Sequence, residues 1–211
     1  MEIMAKNSHI TEMHPTKIVL LQAAKVVLLD EGYAGLSTRA VAATANTQMS
    51  QIRYHFGSKE GMVLALLEYM NDQLLERQTD LFHDPKLPLS IKWDVACDFL
   101  DEDIASGFVR VFLEMTAVGW ANAQISQAVR EIIDRWALLH LDLAHEAKRN
   151  FGSLGPFEPE DIPALIHSAF LGAELLYLLG TERTEYPLRG ALRRIGNIFT
   201  HFEGQLQKGD V

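Results

Sequence analysis

Between Gly32 and Lys59 the chain carries basic and polar side chains but no aspartate or glutamate. The whole chain of 211 residues has a formal net charge of −9, so this gap in the negative charge is local. Residues 1–60 contain six lysines and arginines against five acidic residues, which leaves a net charge of −10 on the rest of the chain. Contact with a polyanion needs cations near the phosphates and no carboxylates that would repel them. The segment 32–59 is therefore a candidate for local contact with DNA, although an acidic chain as a whole is not attracted to it.

Side chains that can read bases lie at the start of the stretch 48–56. Glutamine can form two hydrogen bonds with adenine and arginine two with guanine, at base edges in the ~12 Å wide major groove. We therefore expect Met49, Ser50 and Gln51 to lie against base edges and Arg39 to reach a guanine. The side chains better suited to bonding phosphate oxygens are Thr38, Arg53, Tyr54, His55 and Lys59.

A frame of helices must position these side chains. Helical periodicity runs through almost the whole chain, and no strand-like alternation extends beyond a few residues, which predicts an all-α protein. A first helix over about 16–31 ends at Gly32, a second covers about 38–45, and Asn46 suits a left-handed turn. A third helix follows over about 48–56. Two short helices joined by such a turn, the second polar on its outward face, predict a helix-turn-helix.

The remaining helices follow from caps and breaks. Ser37 or Thr38 can cap the second helix, and Ser58 can cap a fourth over 58–78. Two prolines within 82–90 then interrupt the pattern. Further helices are expected at about 89–105, 107–119, 123–151, 160–180 and 188–207.

Periodicity and charge alone leave two interpretations open. One is a DNA reader, and the other is a helical protein in which a short polar helix happens to lie between two apolar ones. A more specific signal comes from short motifs: Gly32 and Tyr33 after the first helix, Ser37 to Arg39 opening the second, Tyr54 to Phe56 closing the third, and Ser58 to Glu60 opening the fourth.

With these motifs, the segment from about Pro15 to Leu67 resembles the N-terminal domain of the TetR (tetracycline repressor) family of bacterial transcriptional regulators. The resemblance is ungapped over about fifty residues and implies that the nine side chains named above contact DNA. Three positions depart from the family pattern. Asn46 stands where glycine is usual, Thr47 where a small aliphatic residue is usual, and Arg53 where tyrosine is common. We expect Arg53 to strengthen phosphate binding or to read a guanine.

The resemblance fades after about Met70, and it implies a division into two domains. Residues 1–57 would form the helix-turn-helix domain, and residues 58–211 an α-helical effector-binding and dimerisation domain. In such a protein a small-molecule effector binds the second domain and releases a homodimer from a palindromic DNA operator. The apolar run 161–180 is compatible with burial against a partner.

A ligand site in the second domain would use polar or aromatic groups on otherwise apolar helices. Ordinary core packing is the alternative for each of them. Glu174 is the most informative, because a carboxylate in so apolar a run must be paired, neutralised, or turned toward a cavity or a partner. It could meet a ligand amine, or an arginine such as Arg194 across an interface. The candidate residues are Met115, Trp120, Trp136, His140, Phe170, Glu174 and Tyr177.

Several other classes of protein are disfavoured. The single cysteine, Cys97, excludes an intrachain disulfide and a cysteine-cluster zinc site. The first 17 residues lack the apolar core of a signal peptide, and the apolar runs fall short of the ~20 residues of a membrane-spanning helix. We therefore expect a cytoplasmic protein that does not enter the membrane.

Enzyme and metal signatures are also missing. His140 and His145 are five apart, off a common helical face, while His167 and His201 stand alone. There is no GxSxG motif and no glycine-rich phosphate loop. We expect no catalytic residue, no metal and no cofactor. Two rival functions remain: an all-helical ligand-binding protein or enzyme with an incidental helix-turn-helix-like segment, and a DNA-binding protein whose C-terminal domain serves only assembly.

Overall fold

The fold is taken from a computed structural model that describes residues 13–209, with side chains described as far as residue 204. Residues 1–12, which carry most of the segment searched for a signal peptide, lie outside the described residues. The described part contains nine α-helices and no strand, which confirms the all-α prediction. The helices are α1 Pro15–Gly35, α2 Thr38–Thr44, α3 Met49–Phe56, α4 Lys59–Phe82, α5 Leu89–Ser106, α6 Phe108–Gly119, α7 Ala123–Phe151, α8 Asp161–Leu178 and α9 Leu188–Gly209.

Most boundaries fall within a few residues of the sequence-based prediction, and two differ for identifiable reasons. Gly32 breaks the regular helix with φ 69° and ψ 177°, as expected. One more turn follows it, because the N–H of Leu36 donates to the carbonyl of Gly32 at 3.0 Å, so α1 extends to Gly35. The fourth helix continues four residues beyond the predicted end at 78, because Leu81 and Phe82 are both buried and extend its apolar face.

The chain packs as two compact units. Unit 1 comprises Met1–Glu76 and Gly107–Ile132, and therefore contains α1, α2, α3, most of α4, α6 and the start of α7. Within it α1 packs against both α2 and α6, and α2 packs against α3. Its core is apolar and closed to water, with fully buried side chains that include Leu20, Leu21, Leu28, Ile52, Met62, Leu66 and Leu67.

Unit 2 comprises Arg77–Ser106 and Ile133–Val211, and contains the end of α4, α5, most of α7, α8 and α9. Within it α9 packs against α5 and α8. Its apolar core is built on the indole of Trp93, whose Nε1–H donates to the carbonyl of Leu192 at 2.9 Å. Cys97 is buried in the same core.

These two units are defined by packing, and they do not coincide with the predicted division at residues 57 and 58. That division concerns DNA binding and effector binding, so it stays a prediction.

α8 is the one described helix whose length and composition would allow it to cross a membrane, with 18 residues and a mean hydropathy of 1.2. It is at the short end of the range for such helices. Only 11% of it is buried, and Leu165, Leu175 and Leu178 are exposed. A core helix of a protein that never meets a membrane can pass the same two criteria, so they are weak grounds for a membrane location.

Candidate functional site

The turn between α2 and α3 has the conformation that the sequence predicts. The hydroxyl of Ser37 accepts a 3.1 Å hydrogen bond from the N–H of Ala40 and caps α2. Asn46 has φ 49°, in the left-handed region, and it is the one non-glycine residue with a positive φ among those described. The N–H of Thr47 closes the turn on the carbonyl of Ala42 at 2.9 Å. Asparagine thus takes the conformation for which the family usually has glycine.

α3 is anchored on one side and open on the other. Ile52 is fully buried and fixes the helix against the core of unit 1. Met49 is 53% exposed and Tyr54 is 82% exposed, which is unusual for large apolar and aromatic side chains in a folded domain. Gly57, at φ 76°, ends the helix and donates its N–H to the carbonyl of Arg53 at 3.0 Å.

The predicted DNA contacts on α2 and α3 are brought to adjoining helices, and we refer to residues 38–56 as the α2–α3 surface. Arg39, Ser50 and Arg53 are exposed, while Thr38 and Gln51 are half-buried. The surface contains no carboxylate, so nothing on it opposes a phosphate. An exposed, acid-free helix of this kind can enter a groove of duplex DNA.

His55 is less exposed than Arg53 and Tyr54, which precede it on α3. Its ring lies 5.5 Å from the ring of His14 and 5.0 Å from that of Tyr54, measured between centroids. Burial, followed by the positive charges of His14 and Lys17, lowers the pKa of His55. The ring is therefore neutral near pH 7, and it can bond a phosphate as a neutral N–H donor but adds no charge there.

Lys59 has partners inside unit 1. Its Nζ donates to the carbonyl of Tyr33 at 2.7 Å and lies 4.1 Å from the centroid of the Tyr33 ring. The N–H of the same tyrosine donates to Oε1 of Glu114 on α6. The phosphate contact expected of Lys59 stays a prediction. In the structure the same side chain connects the end of α1 to the start of α4.

The seven candidate ligand residues fall in two groups. Met115 and Trp120 belong to unit 1, where Met115 is fully buried and Trp120 is 86% exposed. The other five belong to unit 2. Several of them lie against rings or a cation of the same unit. The ring centroids of Trp136 and His140 are 6.0 Å apart, and those of Phe170 and Trp93 are 5.6 Å apart. The guanidinium of Arg189 lies 4.8 Å from the centroid of the Tyr177 ring.

His167 was expected to stand alone, and this is wrong. Its Nε2 is 3.0 Å from Nδ1 of His140, so the two imidazoles form a hydrogen-bonded pair between α7 and α8. Burial lowers the pKa of both, that of His140 to about 3, and both rings are neutral near pH 7. Spacing along the chain does not disclose the pair, because the two residues are 27 apart and on different helices. The described residues contain no group of three histidine, cysteine, aspartate or glutamate side chains arranged to hold a metal ion.

Glu174 faces a second polar group that the sequence did not disclose. Burial, together with the nearby carboxylate of Asp103, raises the pKa of Glu174 to about 8. Burial also raises the pKa of Asp103, to about 6, against the opposing effect of Arg77, whose Nη2 bonds it at 2.6 Å. Asp103 extends the buried positions Trp93, Cys97 and Leu100 of α5, so periodicity could have placed it inside. No sequence signal indicated Arg77.

The helix-turn-helix segment and the overall fold are similar to those of known proteins. Residues 20–66 match the family model described as bacterial regulatory proteins, tetR family. The HTH-type transcriptional regulator UidR of Escherichia coli K12 is 26% identical over 126 residues, which is 57% of this chain and 60% of UidR. The match thus spans less than two thirds of that relative.

Two solved structures share the fold over most of their length. A TetR transcriptional regulator from Legionella pneumophila superposes with a TM-score of 0.68 at 17% identity, covering 88% of this chain and 97% of that one. The regulator FadR from Bacillus subtilis, in complex with stearoyl-CoA, superposes with a TM-score of 0.70 at 16% identity, covering 86% and 96%. Residues 20–66 thus carry a segment similar to the tetR family of bacterial regulatory proteins, and the fold of the described residues is that of these two solved structures.

Proposed function

We propose that this protein is a sequence-specific DNA-binding transcriptional regulator, a repressor that a small-molecule effector releases from its operator. The observation that carries the proposal is the α2–α3 surface, where exposed base-reading and basic side chains stand on an acid-free helix in a protein of net charge −9. Such an arrangement serves contact with a polyanion and has no use in an acidic helical protein that never meets one.

On this proposal α3 enters the major groove. Met49, Ser50 and Gln51 lie at its first turn, where recognition helices contact base edges. Arg53, one turn later and exposed, bonds a phosphate or a guanine. Arg39 at the start of α2 and the hydroxyl of Tyr54 complete the contacts that fix the helix in the groove.

We also propose that the protein works as a homodimer. The exposed side of α8 carries Leu165, Leu175 and Leu178, Leu179 follows directly, and Ile198 of α9 is 54% exposed. Apolar surface of this extent on two packed helices is typical of an interface between subunits. A two-fold dimer would present two α3 helices to a palindromic operator whose half-sites lie about 34 Å apart.

The dimer can be tested independently of DNA. Light scattering on the purified protein should give twice the chain mass. The double variant Leu165→Arg, Leu178→Arg should give a monomer that loses preference for a palindrome, while its single half-site contacts persist. A monomeric parent protein would contradict the proposal.

The effector would bind within residues 58–211, and DNA would bind to residues 1–57. Support comes from the polar and aromatic side chains inside unit 2 and from FadR of Bacillus subtilis, a neighbour in fold that holds stearoyl-CoA. α4 contributes residues to both compact units, and we propose that it transmits effector binding to α3. A regulator of this kind works in the cytoplasm, where the chromosome is.

The decisive experiment is selection of bound duplexes from a random pool by the purified full-length protein, repeated at several salt concentrations. We expect enrichment of a palindrome with half-site centres about one helical turn apart, and an affinity that falls steeply with salt. The all-helical ligand-binding protein or enzyme predicts no salt-dependent duplex binding. The DNA-binding protein with a mere assembly domain predicts an operator that no small molecule releases.

A substitution of Arg53 tests the contact with the operator most directly. Replacing it with tyrosine, Arg53→Tyr, removes a positive charge, and we expect weaker operator binding and a salt slope that is smaller by about one for each Arg53 that binds a phosphate. Arg183→Gln removes the same charge from an exposed loop of unit 2 and serves as the control. If Arg53→Tyr leaves both affinity and salt slope unchanged, Arg53 does not contact the operator.

A further inference from the structure

The start of α1 lies beside the last turn of α3, within unit 1. The ring of His14, the residue before α1, is 5.5 Å from the ring of His55 between centroids, and the two planes are tilted by 40°. The ammonium of Lys17 lies 5.9 Å from the centroid of the Phe56 ring. Two imidazoles and one ammonium from different parts of the chain thus meet at one place. We refer to His14, Lys17 and His55 as the α1–α3 cluster.

The polar atoms of the α1–α3 cluster can be reached from outside. His14 is exposed, and Lys17 and His55 are half-buried. The ammonium of Lys17 has no hydrogen bond and no ion pair with any described residue. Nδ1 of His14 accepts a 3.2 Å hydrogen bond from the N–H of Thr16 and so caps α1. The proton of the neutral ring is therefore on Nε2, which leaves one N–H donor for a ligand.

The surroundings of the cluster contain no opposing carboxylate among the described residues. After burial, the groups that act on the pKa of His55 are the other two members of the cluster, and both act as positive charges. Neither the first turn of α1 nor α3 contains an acidic residue. The charged residues that open α4 act on Tyr33 instead: Lys59 bonds its carbonyl, and Glu60, after burial, raises the pKa of its hydroxyl. A cation and two ring donors gathered in this way favour an anion from outside.

The proposed mode of DNA binding brings the cluster to the phosphates. Base reading is assigned to the first turn of α3, and His55 lies in its last turn. A helix of eight residues is about 12 Å long, which is close to the width of the major groove. The last turn of α3 therefore lies toward the phosphates that border the groove, and the start of α1 lies beside it.

We propose that the α1–α3 cluster binds one phosphate of the operator backbone, with the charge supplied by Lys17 and N–H donors by the imidazoles of His14 and His55. This inference rests on the proposed function and adds the start of α1 to the DNA-binding surface. Like other backbone contacts, it fixes the orientation of α3 and reads no base.

The two imidazoles make the contact depend on pH. In the free protein the pKa of His55 lies below its ordinary value of 6.5, because of burial and then of the positive charges of His14 and Lys17. A phosphate beside an imidazole favours the protonated ring. The complex therefore binds more protons than the free protein does, and the operator affinity rises as the pH falls from 8 to 6.

Substitutions of Lys17 test the charge. Fluorescence anisotropy at pH 8, over a range of salt concentrations, uses the full-length protein with the selected operator and with the unselected random duplex pool. Lys17→Met should weaken binding to both and lower the salt slope by about one for each subunit bound, because a phosphate contact does not depend on sequence. Lys17→Arg should retain the slope. Lys86→Met, which removes an exposed lysine of unit 2, is the matched control.

The double variant His14→Asn, His55→Gln tests the imidazoles. Asparagine is a preferred helix cap and can accept the N–H of Thr16 in place of Nδ1, so α1 keeps its cap. The operator affinity of the parent protein should rise about tenfold or more between pH 8 and pH 6, and that of the double variant should change much less. His83→Gln, at an exposed histidine of unit 2, should keep the pH profile of the parent protein.

A purely structural role for the cluster predicts different results. Lys17→Met would then be less stable in urea but would keep the salt slope of the parent protein, and the double variant would have a pH profile parallel to that of the parent. Either result overturns the proposal. An equal loss of slope in Lys86→Met overturns it as well, because the effect would then come from net charge and not from position.

These outcomes are separable from those of the proposed function. Enrichment of an operator, together with an unchanged salt slope in Lys17→Met, retains the regulator and rejects the phosphate site. Salt-dependent binding of the random pool that weakens in Lys17→Met, without enrichment of any sequence, retains the phosphate site and rejects the sequence-specific regulator. A parent protein that binds neither duplex rejects both.

Discussion

The ammonium group of Lys59 donates to the backbone carbonyl of Tyr33 at 2.7 Å and lies 4.1 Å from the centroid of the ring of the same residue. The N–H of Tyr33 is held by the carboxylate of Glu114. The residue that follows the break at Gly32 is thus bonded on its carbonyl side from α4 and on its amide side from α6. The junction fixes the end of α1, against which α2 packs, so the orientation of the α2–α3 surface depends on it.

Replacing Lys59 with methionine should therefore act mainly on the fold of unit 1. Lys59→Met removes one charge-assisted hydrogen bond and a cation–π contact, and we expect a loss of about 1–3 kcal/mol in the free energy of unfolding by urea. Operator affinity should fall with an unchanged salt slope, because the ammonium is already engaged by Tyr33. Lys25→Met, on α1, is the control for loss of charge. A salt slope reduced by about one in Lys59→Met would instead assign the side chain to a phosphate.

Asn46 provides a test of backbone conformation at the turn. At φ 49° an alanine suffers a clash of its Cβ with the backbone, so Asn46→Ala should cost about 1–2 kcal/mol in thermal or urea unfolding. Asn46→Gly, which restores the residue usual in the family, should be close to neutral. Equal stability of all three proteins would show that the turn does not hold Asn46 in the left-handed region.

Gly61 permits the close approach of α3 and α4. A Cβ at this position would lie 2.1 Å from the backbone carbonyl oxygen of Phe56, the last residue of α3. An alanine at this position must displace the backbone, so we expect Gly61→Ala to lower the free energy of unfolding by about 1–3 kcal/mol. Operator binding should weaken as well, because the displaced backbone would tilt α3. Gly204→Ala in α9, where a Cβ meets nothing within 4 Å, should be neutral or slightly stabilising and serves as the control.

The helices were largely predictable, because their signals are local. The cap at Ser37, the left-handed Asn46 and the apolar spacing around Ile52 each act within one or two turns. The steric requirement at Gly61 was not predictable, because it arises only once α3 and α4 meet.

The candidate sites show the same contrast between local signals and tertiary contacts. The nine side chains predicted to contact DNA could be named because they lie within 22 consecutive residues, 38–59, in a pattern that resembles the family's. The interior of unit 2 could be named only in part. Glu174 stands out as a carboxylate in an apolar run, whereas its neighbour Asp103 and the partner of His140 come from distant segments. Their proximity is a property of tertiary packing, which no short pattern records.

Cys97 should be unreactive in the folded protein. It is 6% exposed in the core of unit 2, and burial raises the pKa of its thiol to about 11. Since the thiolate is the reactive form, alkylation at pH 8 should be slow in the native protein and fast after unfolding in urea. Rapid modification of the native protein would show that this core opens readily, or that Cys97 is reactive.

Glu174 should make the stability of the effector-free protein fall as the pH rises from about 6.5 to 8. Its pKa in the folded protein is about 8, above the ordinary value of 4.5, so the folded state binds more protons than the unfolded state in this range. The folded protein therefore loses stability as the carboxyl of Glu174 ionises. Asp103, with a pKa of about 6, completes most of its ionisation below this window. The lowered pKa values of His140 and His167 act on stability below about pH 6.5 and in the opposite sense.

The variant Glu174→Gln separates this contribution from all others, because its amide does not titrate. Urea unfolding at pH 6.5, 7.25 and 8 should show a decline in stability for the parent protein and a much flatter profile for the variant, which should be the more stable of the two at pH 8. Parallel profiles for parent and variant would mean that Glu174 is already ionised in the folded protein and has found a partner.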